Sequence, residues 1–155
     1  MGVYGFDEAS FLDALQRANV DIFIDTRRRR AVRGSRYAFA NSLRLQAHLA
    51  ALGIPYLHRL ELAPSTEARQ AQDQADTASN IRRSDRKTLT DTFMDTYSHE
   101  CLAPLDSRQL VASLGPDLQS ILFFCVERAP SACHRGLLAN KLAADLNAKV
   151  EHIVP

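Results

Sequence analysis

No apolar run in this 155-residue chain is long enough to cross a bilayer. The longest stretches, Ile121–Val126 and Ile22–Ile24, fall far short of about 20 residues. The beginning of the sequence lacks a basic segment followed by an apolar signal region. Cysteine is scarce and odd in number: Cys101, Cys125 and Cys133 show no framework spacing, which argues against a disulfide scaffold and predicts reduced thiols. There is no charge excess, since the formal net charge is +1, so overall charge names no partner. There is no internal repeat. These absences predict a soluble, cytoplasmic protein with no membrane partner, and they leave the oligomeric state open.

What is present fits a single α/β domain spanning residues 1–155. A 46% hydrophobic content suffices for a core. Val3–Phe6 reads as a short first strand. Phe11, Leu12 and Leu15 have helical spacing, with Asp7 or Ser10 as cap. Val20–Ile24 reads as a buried strand ending at Asp25, and the basic segment 26–38 as a loop. A helix capped by Asn41 ends at Gly53, and Ile54–Leu60 is the next strand. Residues 64–87 form a solvated polar excursion, helical in parts, rather than a domain boundary. Leu89, Phe93 and Tyr97 mark a helix over about 84–100, and Pro104 and Asp106 open a shorter one ending at Leu114. Ser120–Phe124 is a buried strand, Ser131 caps a helix from about Ala132 to Leu146, and Lys149–Val154 alternates like a last strand. Strands alternating with helices predict a mostly parallel sheet with helices on both faces.

In such sheets ligands bind beyond the carboxyl ends of the strands. That rule gathers Asp25 and Arg27, then His58, Arg59 and Glu61, then Cys125, Glu127 and Arg128 along one edge. With Ser131 as cap, Cys133 and His134 fall in the first helical turn. Free N–H groups and the helix dipole there favour an anion and a low thiol pKa. Cys133 is the candidate nucleophile, His134 and Glu127 the acid/base and orienting groups, and Asp25 a further carboxylate at the site. Cys125 serves equally well as a packing residue, and Cys101 is expected to be inert. Arg27, Arg28, Arg29, Arg30, Arg33 and Arg36 crowd one ten-residue stretch. That run is either a solvated loop paired with acidic residues of the 64–95 region or a phosphate-contacting patch. A metal-stabilised interaction domain, with Cys125, Cys133, His134 and His58 as ligands, is a third and weaker reading, because the eight-residue gap between the cysteines is not a usual zinc spacing. No metal and no cofactor are therefore assigned. His48, His99 and His152 read as surface residues.

Asp25-Thr26-Arg27, Gly34-Ser35-Arg36-Tyr37 with Phe39, Leu52-Gly53-Ile54-Pro55-Tyr56, Glu61-Leu62, Cys125-Val126-Glu127 and Pro130 through Cys133-His134-Arg135 occur in order along the chain. This succession resembles the family named domain of unknown function DUF488, over about Val3 to Val154. The resemblance implies an α/β sheet and a shared site of Asp25, Arg27, Ser35, Arg36, Cys125, Glu127, Cys133, His134 and Arg135. It implies no activity. Thr26 stands where the family usually has Val, the arginine run replaces a common proline, and Gly136 replaces a small hydroxyl residue, removing one ligand contact.

Two expectations of function follow. The first is a small enzyme acting on an anionic substrate, phosphorylated or nucleotide-like. It would hold that substrate with Arg27, Ser35, Arg36, Tyr37, His58, Glu61, Cys125 and Arg135. The second is a non-catalytic nucleic-acid-binding module that uses the Arg27–Arg36 loop.

Overall fold

The computed structural model describes residues 1–32 and 34–155; Arg33 of the basic run lies outside the described residues. Strands β1 (Ile22–Asp25), β2 (Tyr56–His58) and β3 (Ile121–Phe124) form a parallel sheet in the order β2-β1-β3. Asp25 is in register with His58 on one side and Phe124 on the other, so the three carboxyl ends share one edge. β1 is buried at all four residues, as its unbroken apolar run requires of a central parallel strand.

Successive β1 side chains enter different cores. Phe23 packs in one cluster with Phe11, Leu15, Phe39, Leu45, Leu49 and Phe124, supplied largely by α1 (Glu8–Ala18) and α2 (Ser42–Ala51). Ile24 enters the other with Leu62, Phe93, Tyr97, Leu110, Leu138 and Leu142. That second cluster draws on α3 (Thr66–Ala78), α4 (Asp91–Tyr97), α5 (Ser107–Leu114) and α6 (His134–Leu146). Helices therefore cover both faces of a parallel sheet, as the sequence predicts. Each fully buried ring among Phe11, Phe23 and Phe124 contributes about 1.5–3 kcal/mol. No helix of the described residues is long and apolar enough to cross a membrane.

Local chemistry explains the boundaries. Asp7 caps α1, accepting from the Ser10 N–H, while the Ser10 hydroxyl accepts from the Asp7 N–H, a reciprocal capping box. Asn41 occupies the cap position of α2, but its side chain accepts the Val32 N–H and so ties the basic loop down instead.

Several expectations need correction. Val3–Phe6 is not a strand. Gly2 makes an isolated parallel bridge to Cys125, both Val3 and Tyr4 donate to the Val126 carbonyl, and the chain then turns. Lys149–Val154 contains no strand either; Ile153 packs on the first core without a ladder partner. The basic segment is not all loop, because Ser35–Ala40 is a 3-10 turn. The helix expected over 84–100 begins only at Asp91, where Thr90 caps it. Residues 64–87 are not merely solvated: α3 buries Ala68, Gln72 and Asp76. Ser131 caps nothing. Its hydroxyl donates to the Lys87 carbonyl, Pro130–Ala132 forms a 3-10 turn, and Cys133 itself is the residue before α6.

Candidate active site

At the carboxyl end of β1 the chain turns on an internal ion pair. Arg27 Nε and Nη2 donate to the two oxygens of Asp25 at 2.9 and 2.8 Å, and the Arg27 amide donates to Oδ1 at 3.0 Å. The Tyr56 hydroxyl supplies a further donor to Oδ2 at 2.8 Å. Both charged side chains are essentially without solvent contact. The guanidinium also donates to the Ala40 carbonyl and lies 4.6 Å from the Phe124 ring centroid. A buried pair satisfied this fully is a scaffold. Asp25 thus holds Arg27 in place.

The segment after β3 folds back on itself. Arg135, buried at the start of α6, donates from Nη1 to the Glu127 carbonyl and from Nη2 to the Arg128 carbonyl. This clamp brings Cys125, Glu127, Cys133 and His134 together. Close packing reinforces it: a Cβ on Gly136 would sit 2.4 Å from the Pro130 oxygen, and one on Gly2 would sit 1.9 Å from the Glu127 oxygen. Gly136 is thus fixed by backbone approach, and in this chain a hydroxyl-bearing side chain has no room there.

Glu127 Oε2 lies 3.2 Å from Cys125 Sγ and 3.1 Å from Cys133 Sγ. His134 Nδ1 lies 3.7 and 3.8 Å from the same two sulfurs. The other ring nitrogen faces only acceptors. Nε2 is 3.2 Å from the Thr26 carbonyl and 3.0 Å from Thr26 Oγ1, whose own hydrogen is donated to the Phe124 carbonyl. Nε2 therefore carries a proton, and in the neutral ring Nδ1 presents a lone pair to the thiols. Burial opposes charge on Cys133, but the hydrogen bond from Cys125 and the neighbouring His134 and Arg135 outweigh it and hold that thiol well below the ordinary range. Burial and the neighbouring Cys133 push the Cys125 thiol up. The two sulfurs and a ring nitrogen of His134 all lie within 4.8 Å of one another, a set able to hold a metal ion.

This cluster floors a cleft of about 320 Å³. Arg27, Arg28, Arg29, Arg69, Arg83 and Arg86 line its walls. Arg27 is spent on Asp25, Arg86 on Asp76, and Arg83 donates to Glu127 Oε1 at 2.9 Å. Arg28 donates to the Pro64 carbonyl. Among the described residues, Arg29 and Arg69 have no carboxylate partner. Partial burial, then the nearby charge of Arg83, lower the pKa of Arg69; Asp73, which also lines the cleft, and Glu127 oppose the shift, and Arg29 adds to it.

Arg69 and Arg83 are absent from the site expected from sequence. The available signal is the helical spacing of Arg69, Gln72, Asp73 and Asp76, together with basic residues at 82, 83 and 86, in a segment with few apolar residues. Of the expected residues, Arg27, Cys125, Glu127, Cys133 and His134 line the cleft, whereas Asp25, Ser35, Arg36, Tyr37, His58, Glu61 and Arg135 do not. Tyr37 packs against Tyr4, which does line it, and Arg36 lies over the Tyr37 ring. His58 bonds the Arg27 carbonyl, and Glu61 pairs with Arg59.

Neither the curated proteins nor the solved structures provide a match to this chain. A family model does, over residues 8–142. Most of the chain is covered by that match, and the chain belongs to the domain of unknown function DUF488 family.

Proposed function

We propose that this protein is a small enzyme acting on an anionic substrate, phosphorylated or nucleotide-like, bound in the arginine-lined cleft. The observation that carries the reading is the combination of cations lacking carboxylate partners on the walls with a Cys-Glu-Cys-His cluster on the floor. Arg69 and Arg29 face the anion, Arg83 fixes Glu127, and the cluster supplies the chemistry. The test is isothermal titration with inorganic phosphate, pyrophosphate and nucleoside monophosphates at low salt, alongside a hydrolysis screen on phosphorylated compounds. Binding that weakens in Arg69→Gln, and turnover lost in Cys133→Ser, are expected. Absence of binding to any of these anions overturns the reading.

Nucleic-acid binding without catalysis is a second reading, favoured by the exposure of Arg28, Arg29 and Arg36. It is separated from the first by length dependence, since it requires oligonucleotides to bind far more tightly than mononucleotides.

A further inference from the structure

We infer that Cys125, Cys133 and His134 form a binding site for a zinc-like divalent cation, with an open coordination position facing the cleft. The inference deepens the enzyme reading and rests on it only for the charge of the substrate.

Four observations support it. The S···N distances of 3.7 and 3.8 Å lie close to the edge of about 3.6 Å that a tetrahedron with ordinary zinc–sulfur and zinc–nitrogen bonds requires. The imidazole is set up as a ligand from behind: Nε2–H is held by Thr26, leaving Nδ1 as the donor. This is the outer-shell device that orients metal-bound histidines. All three ligand residues are buried and all three line the cleft, so among the described residues the ion is approached from the arginine-lined side. Charge also balances, because two thiolates neutralise a divalent cation and the Glu127 carboxylate beside them is paired with Arg83, which suits a buried site.

The eight-residue separation of the cysteines, unusual for zinc when read along the chain, is closed by the Arg135 clamp and the 3-10 turn at Pro130–Ala132. Glu127 stands beside the sulfurs, with its other oxygen on Arg83. The ion, when bound, would supply a Lewis acid at the open position, beside Glu127 and its Arg83 partner. An anionic substrate would then meet the cation and the arginines together.

The test is elemental analysis of the full-length protein purified without chelator, followed by cobalt titration of the metal-stripped protein. Stoichiometric zinc and a sulfur-to-cobalt charge-transfer band are expected. Both should be lost in Cys133→Ser and Cys125→Ser. Thr26→Val, which keeps all three ligands, should weaken metal affinity by roughly tenfold or more. Folded wild-type protein that binds neither zinc nor cobalt, or that gives the same cobalt spectrum without Cys133, overturns the inference. Should the cysteine variants fail to fold, wild-type titration and Thr26→Val still decide it. Anion binding measured on the same metal-stripped protein is scored separately. Anion binding without metal binding defeats this inference alone, and metal binding without anion binding defeats the cleft reading alone.

Discussion

Arg83 donates from Nε to Glu127 Oε1 at 2.9 Å across 44 residues of chain. One contact thus joins the polar segment between β2 and α4 to the loop after β3. The same segment lines the cleft beside Cys125, Cys133 and His134, since α3 and the turn after it carry Arg69, Arg83 and Arg86 into it.

Replacing Arg69 by Gln should weaken pyrophosphate binding about tenfold, a change of ~1.4 kcal/mol. Unfolding should hardly change, because among the described residues Arg69 has no carboxylate partner to leave unpaired. Titration calorimetry and urea unfolding measure the two effects. Arg69→Lys should recover part of the affinity, since the charge survives and the planar fork does not.

The Asp25–Arg27 pair behaves differently. Removing one member by Asp25→Asn or Arg27→Met strands a buried partner, with an expected loss of about 3–5 kcal/mol. Urea unfolding reads the loss. A drop of less than about 1 kcal/mol would mean that the pair is not the scaffold described above.

Gly136→Ser should destabilise this chain. The new Cβ meets the Pro130 oxygen at 2.4 Å, and backbone cannot swing aside as a side chain can. Overpacking of this kind costs about 1–3 kcal/mol. The thermal midpoint should fall, and metal binding should weaken with it as the Cys125–Cys133 loop is displaced.

Cys101 supplies a pH test away from the cluster. Burial pushes its thiol up, a hydrogen bond with Tyr97 opposes the shift, and the charges of Glu61 and Glu100 add to it. Its alkylation at neutral pH should be slower than that of a free thiol and should climb past about pH 8.5, the free value. The folded state holds this proton more tightly than the unfolded chain. Stability from this group is therefore complete below the unfolded pKa and is lost as pH rises through the higher folded one. In Cys101→Ala that alkaline loss should disappear from the pH–stability curve.

The runs that form β1, β2 and β3 and the Asp7 and Asp106 caps are local signals, and the periodicity of Phe11–Leu15 and Phe93–Tyr97 fixes which helix faces are apolar; Val3–Phe6 and Lys149–Val154 read as strands in the same way and form none. The parallel sheet, its two covered faces and the edge where Asp25, His58 and Cys125 meet follow from that pattern, because strand alternation and crossover geometry leave few alternatives. The start of α6 was not legible, since the Ser131 hydroxyl has a partner 44 residues away at Lys87. The division of labour among the arginines was equally hidden. Arg27 turns inward to Asp25, whereas Arg69 and Arg83 come from a segment whose polar composition reads as solvated surface. An isolated arginine looks the same in sequence whether a carboxylate, a carbonyl or nothing stands opposite it, and only tertiary packing decides which. The same holds for Cys125, Cys133 and His134. The sequence by itself determined that these ligand types follow one strand, whereas the Arg135 clamp, the backbone approach at Gly136 and the Thr26 bond to His134 turned them toward a common point.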